Sequence, residues 1–149
     1  MELYLSLGSD SGDRMHNIEA ALSLLNIELG VPYSALSSII ETEPWGFESD
    51  TRFLNAAVMY ELDLPKGYNP EAEALMILAA CKDIERRLGR TGEPQYDGEG
   101  KRIYTSRPID IDILLFGDHK IDCDELTIPH KLMFERDFVM VPLREIKKK

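Results

Sequence analysis

Asp110 and Asp112 are separated by a single isoleucine, in the run Ile109-Asp-Ile-Asp-Ile113. On a β-strand side chains alternate, so both carboxylates point one way and the three isoleucines the other. A two-residue rise sets the aspartates about 6.6 Å apart at Cα, close enough to converge on one divalent ion or to bracket a pair. Mg²⁺ takes few carboxylates and completes its shell with substrate phosphates, which suits so sparse a donor set. The competing reading is the polar face of an edge strand. The branched apolar neighbours point instead to a central strand, where two like charges are costly unless a cation neutralises them. The expectation is a metal dyad.

A set of cations could hold phosphates beside it: Lys82, Arg90, Arg107, His130 and Arg136. Arginine forks match phosphate oxygens in geometry, and Arg107 precedes the aspartates by three residues. Taken singly, each reads as a solvated surface residue. Phosphate-binding loops of the Gly-rich, Lys-Ser/Thr type are absent, so side chains must do this work. Lys82 and Glu85 follow Leu78 at helical spacing and read as an exposed ion pair. Phe53 and Asn55 are same-face neighbours on a strand after the turn-rich run Thr42-Glu-Pro-Trp-Gly-Phe47. An aromatic ring and an amide there can hold a flat heterocycle by stacking and edge hydrogen bonds, although a core Phe and a turn Asn are the more ordinary reading. In Ile128-Pro-His130, the histidine could meet phosphate or cap a turn.

These side chains need a frame. Glu2 to Gly8 alternates, with Leu3, Leu5 and Leu7 on one face, and reads as a strand. Asp13 caps a helix carrying Ile18, Ala21, Leu22 and Leu25, and Gly30-Val-Pro ends it. Tyr33–Glu41 and Phe53–Leu62 read as two further strands. Asn69 caps a second helix with Pro70 at its first position, the stripe Ile77, Cys81, Ile84 and Leu88, and a stop at Gly89. A long charged segment runs from Arg90 to Pro108, and a segment of that length is usually functional or disordered. Ile109–Phe116 is a strand, followed by a short strand near Leu126–Ile128 and an apolar stretch from Phe138 to Leu143. The order is β-α-β-β-α-β. That implies an α+β fold with a ferredoxin-like core, a mainly antiparallel sheet covered by helices, and long catalytic loops.

Length and composition narrow the field. A chain of 149 residues is expected to form a single domain spanning 1–149. A net charge of -10 disfavours nucleic acid and anionic membrane as general partners. Cys81 and Cys123 form no metal or disulfide spacing, which fits a reducing, cytoplasmic setting. Neither a signal peptide nor a membrane span is expected.

Taken together the motifs resemble the 6-hydroxymethyl-7,8-dihydropterin pyrophosphokinase family of folate biosynthesis. The resemblance runs nearly end to end, through Leu7-Gly-Ser-Asp10, Glu41-Thr-Glu-Pro-Trp-Gly46, Phe53-Leu-Asn55, Ile84-Glu-Arg-Arg-Leu-Gly-Arg90, Arg107-Pro-Ile-Asp-Ile-Asp-Ile-Leu114, Ile128-Pro-His130 and Arg136-Asp-Phe138. It implies transfer of pyrophosphate from ATP, the co-substrate, to the pterin hydroxymethyl group, with two Mg²⁺ ions on Asp110 and Asp112. Arg90 and Arg107 are implied as catalytic cations. Leu78, Lys82, Glu85, Arg107, Ile113, Thr127, His130 and Arg136 are implied around ATP. Thr42, Glu43, Trp45, Phe53, Asn55 and Phe138 are implied around the pterin. A monomer with no nucleic acid or membrane partner is expected. Four positions depart from the family pattern. Gly92 stands where a second loop arginine is common, with Lys101 or Arg102 as replacements. Tyr104 stands for a tryptophan, Asp10 for an asparagine, and Lys131 for an aromatic or proline. Of the other readings, a ligand-binding ferredoxin-like module without chemistry is disfavoured by the Asp pair, the arginines and the long loop, while a degenerate relative with a slow chemical step stays open because Gly92 replaces an arginine. A third, an RNA-binding domain of the same fold, is disfavoured by the acidic charge.

Overall fold

The computed structural model describes residues 1–10, 12–42, 53–89, 95–96, 98–99, 102–103 and 108–147, at 42, 95–96 and 102–103 by backbone alone. Glu43, Trp45, Arg90 and Arg107, with Gly92, Lys101 and Tyr104, lie outside the described residues.

The order is β1 (Glu2–Ser9), α1 (Arg14–Leu29), β2 (Ala35–Leu36), β3 (Ile40–Thr42), β4 (Phe53–Glu61), α2 (Pro70–Arg87), β5 (Gln95–Tyr96), β6 (Arg102–Ile103), β7 (Asp110–Phe116), β8 (Ile121–Asp122), β9 (Thr127–Ile128), one 3₁₀ turn (Met133–Glu135) and α3 (Asp137–Ile146). Local chemistry sets the helix ends as expected. Asp13 Oδ1 accepts the His16 N–H at 3.1 Å, and Gly30 closes α1 at φ 75°. Asn69 Oδ1 accepts the Ala72 N–H at 3.0 Å, and Pro70 opens α2.

The main sheet runs β2-β4-β1-β7, with β3 also paired to β4, and every pairing is antiparallel. This is the ferredoxin-like order, with β2 and β3 sharing one strand position. α1 and α2 cover one face, where Leu3, Leu5, Leu7, Ile109, Ile111 and Ile113 pack with Ile18, Leu25, Ile77 and Ile84. Burying each such side chain contributes roughly 1.5–3 kcal/mol. α3 covers the opposite face through Val139 and Leu143, against Tyr4, Ala57 and Leu114. Because both faces are covered, Tyr4 and Ser6 are buried although β1 reads as an alternating strand.

Two expectations are corrected. The strand expected over Tyr33–Glu41 is two short strands around a bulge. Leu36 faces Val58 and Ile40 faces Asn55, so residues 37–39 stand against only two on β4. Ser37 replaces the lost ladder bond, since its N–H donates to Ala57 O at 2.9 Å and its Oγ accepts the Ala57 N–H at 2.8 Å. Second, β7 is not central but the outer strand of the sheet. Its isoleucines are buried because α2 lies over one face, while the chain after β9 follows the edge, His130 N–H donating to Leu114 O at 3.1 Å.

Candidate active site

Directly opposed residues of an antiparallel pair share a face. Gly8 of β1 faces Asn55 on β4 and Asp110 on β7, and Ser6 faces Ala57 and Asp112. Asn55, Gly8 and Asp110 therefore form one row across three strands, on the face that α3 covers further along. Phe53 lies two residues before Asn55, opposite the backbone of Thr42 at the end of β3. Gly8 keeps this floor open. A Cβ there would stand 3.1 Å from Asn55 Oδ1 and 3.7 Å from Phe53 Cδ1. No sequence signal marks Gly8 as part of a site beyond its place in the Leu-Gly-Ser motif.

The two aspartates share this face as the period-two pattern requires. Burial pushes the Asp112 carboxyl up to about 7, the charges of Asp110 and Glu85 add to the rise, and Arg136 and Lys82 oppose it. The dyad thus carries more negative charge than its own cations offset, and a divalent ion fits that donor set. Mg²⁺ accepts so small a carboxylate set and completes its shell with other oxygens. His130 reaches the same carboxylate, and burial and then Arg136 lower its pKa against an opposing pull from Asp110. Arg136 is the N-cap residue of α3, with its guanidinium carbon 5.7 Å from the Phe138 ring centroid.

Along the outer edge of β7 lies a cleft of about 280 Å³. Leu78, Ile111, Ile113 and Leu126 give it apolar walls, and Lys82, Asp112, Thr127 and His130 give it polar ones. Apolar walls with a few polar groups suit a nucleoside whose phosphates extend towards Asp112. Asp124, Glu125 and Lys131 also reach it. Nothing in the sequence pointed to Asp124 and Glu125. They belong to a turn that comes to the cleft only because β9 packs beside β7.

Glu85 is the clearest departure. The expected Lys82–Glu85 ion pair forms, but it is not an exposed one, since Glu85 is buried at 3% exposure. Its Oε2 accepts the Ile111 N–H at 2.8 Å, and its Oε1 lies 3.8 Å from Lys82 Nζ. The structure thus brings Asp110, Asp112, His130, Arg136 and the cleft together at one end of the sheet, with Phe53 and Asn55 across the floor.

A model of the 7,8-dihydro-6-hydroxymethylpterin-pyrophosphokinase family matches residues 4–148. The chain is 45% identical over 145 residues to a 2-amino-4-hydroxy-6-hydroxymethyldihydropteridine pyrophosphokinase of Porphyromonas gingivalis, covering 97% of this chain and 89% of that protein. It is 38% identical over 143 residues to a protein of the same name from Bacillus subtilis, covering 96% of this chain and 76% of the other. It is also 40% identical to a mitochondrial folate synthesis bifunctional protein of Pisum sativum, over 97% of this chain and 25% of that one.

Proposed function

The chain belongs to the 7,8-dihydro-6-hydroxymethylpterin pyrophosphokinase family, and from that premise we propose that the sheet floor and the edge cleft are its active site. The enzyme is a pyrophosphokinase of folate synthesis, transferring the diphosphate of ATP to 6-hydroxymethyl-7,8-dihydropterin. The hydroxymethyl oxygen attacks the β-phosphorus in line and loses its proton. The bond between the β-phosphorus and the oxygen bridging it to the α-phosphate breaks, AMP leaves, and the pterin diphosphate forms.

Such a transfer asks little covalent work of the protein and much positioning and charge neutralisation. In this reading the cleft holds the nucleoside against Leu78 and Ile113, with Lys82 and Thr127 at its polar side. His130, Arg136 and Arg107 take the phosphates, and Arg90 approaches from the long loop. Asn55 reads the pterin edge, Phe53 and Phe138 stack on its faces, and Thr42, Glu43 and Trp45 border it. Asp110 and Asp112 would hold two Mg²⁺ ions, which when bound neutralise the triphosphate and draw charge from the β-phosphorus. Arg90, Arg107, Glu43 and Trp45 enter this assignment on the family pattern alone.

The observation that carries the reading is the row Asn55–Gly8–Asp110, which sets a heterocycle-reading amide and a metal-binding carboxylate on either side of an open backbone. A ligand-binding module without chemistry needs no such carboxylate pair beside a nucleotide-sized cleft. Among the described residues no helix is long and apolar enough to cross a membrane. One domain carrying both substrate sites supports a monomer, and the free cysteines Cys81 and Cys123 suit a reducing, cytoplasmic setting. The test is AMP release from ATP and the pterin with Mg²⁺, run beside an Asp110→Ala/Asp112→Ala double variant. Pterin-dependent AMP that disappears in the variant supports the assignment, and equal AMP from both proteins overturns it.

A further inference from the structure

Of the charged residues on α2, Glu85 alone is buried, among the described residues. Burying a carboxylate is costly without hydrogen bonds, and here the like charge of Asp112 lies near it. An apolar side chain would fill the same space beneath β7 more cheaply. What an apolar side chain cannot supply is an acceptor for the edge of β7. Ile111 turns its amide away from β1, and Glu85 Oε2 accepts it at 2.8 Å. Lys82, on the cleft wall, steadies the other carboxylate oxygen from 3.8 Å.

Ile111 is the residue between Asp110 and Asp112. Fixing its peptide plane fixes the backbone on both sides of it, and so the directions in which the two carboxylates leave the strand. An outer strand lacks the second ladder that would otherwise do this. We propose that Glu85 is a positioning residue, a helix-borne carboxylate that stands in for the missing neighbouring strand and holds the Asp110–Asp112 dyad in register for its metal. The inference rests on the active-site reading above. It gives Glu85 a role through the protein backbone rather than through contact with ATP.

The test compares Glu85→Gln, which keeps an acceptor oxygen, with Glu85→Leu, which keeps bulk and removes it. Two quantities are read: the exchange rate of the Ile111 amide in ligand-free protein, and the Mg²⁺ concentration giving half-maximal AMP release at saturating ATP and pterin. Leu should speed Ile111 exchange by about tenfold or more and raise the Mg²⁺ midpoint about fivefold, while Gln stays within about twofold on both. Should the Leu variant fail to fold, Glu85→Asp, which withdraws the acceptor by one methylene, carries the same expectation. A rise in the KM for ATP with an unmoved Mg²⁺ midpoint would overturn the inference and make Glu85 a nucleotide contact. Equal effects of Gln and Leu would overturn it too, because the charge and not the acceptor would then matter. A wild-type protein that releases no AMP would sink the active-site reading along with the inference. Normal wild-type turnover with an unshifted midpoint in the Leu variant sinks only the inference.

Discussion

His130 faces Asp112 with Nε2 3.9 Å from Oδ1, while its Nδ1 accepts the Leu132 N–H at 3.3 Å. An acceptor at Nδ1 places the proton of the neutral ring on Nε2, so an N–H points at the carboxylate. Burial and Arg136 hold the ring's pKa below its ordinary value. At neutral pH this histidine therefore orients a donor without adding a full charge. Neutralising the dyad falls to Arg136 and Lys82 and, on the proposed function, to a divalent cation.

Replacing either aspartate by asparagine keeps the shape and removes a charge. Asp110→Asn or Asp112→Asn should lower kcat for AMP release by about 10²–10³-fold, the usual cost of one electrostatic partner in a transition state. Metal-free ATP should still bind both variants, which equilibrium dialysis without Mg²⁺ would check. A variant with wild-type turnover would remove that aspartate from the chemistry.

The raised Asp112 carboxyl makes metal binding depend on pH. In the ligand-free protein the folded state keeps this proton, while the unfolded chain loses it near the ordinary 3.8. Stability contributed by this group is therefore lost as pH rises from 3.8 towards about 7. Binding a divalent ion requires the carboxylate, so it should release a proton and weaken below about pH 7. Calorimetric titration of Mg²⁺ into the ATP complex at pH 6.5, in buffers of different ionisation enthalpy, should show that release in the wild type and not in Asp112→Asn.

Gly8→Ala would place a methyl 3.1 Å from Asn55 Oδ1, tighter than the floor can accept without moving the amide. The KM for the pterin should rise about tenfold, with the KM for ATP changed less than about twofold, because the cleft lies across β7. Steady-state kinetics with each substrate varied would separate the two.

Ser37→Ala should leave the Ala57 N–H buried without its 2.8 Å acceptor. The expected loss is about 1–3 kcal/mol of stability, read from urea denaturation. The bulge lies between β2 and β3, away from β7, so the Mg²⁺ midpoint should not move. A shift in it would mean that the bulge reaches the dyad.

Much of this protein was legible in single segments. The period-two run around Asp110 and Asp112 put both carboxylates on one face, because that geometry needs only a strand. Asp13 and Asn69 announced their helices, because a cap acts within three residues. The β-α-β-β-α-β order, with the motifs from Leu7 to Phe138, pointed to the family to which the chain belongs. Relations between distant segments were not legible. An apolar strand looks the same whether a second strand or a helix covers it, so β7 read as central and lies at the edge. Lys82 and Glu85 have the spacing of an exposed pair, and only the approach of α2 to that edge buries Glu85 against Ile111. The Ser37 bulge depends on pairing with Ala57, twenty residues away. Asp124 and Glu125 reach the cleft only through the packing of β9 beside β7. Local pattern was enough for the two capped helices, the longer strands and the residue types that chemistry needs, since those follow from forces acting over a few neighbours. Tertiary structure alone decided which edge stays open and which carboxylate closes it, because those follow from pairing between β1 and β7, about a hundred residues apart, whose cost and gain are shared by the whole sheet.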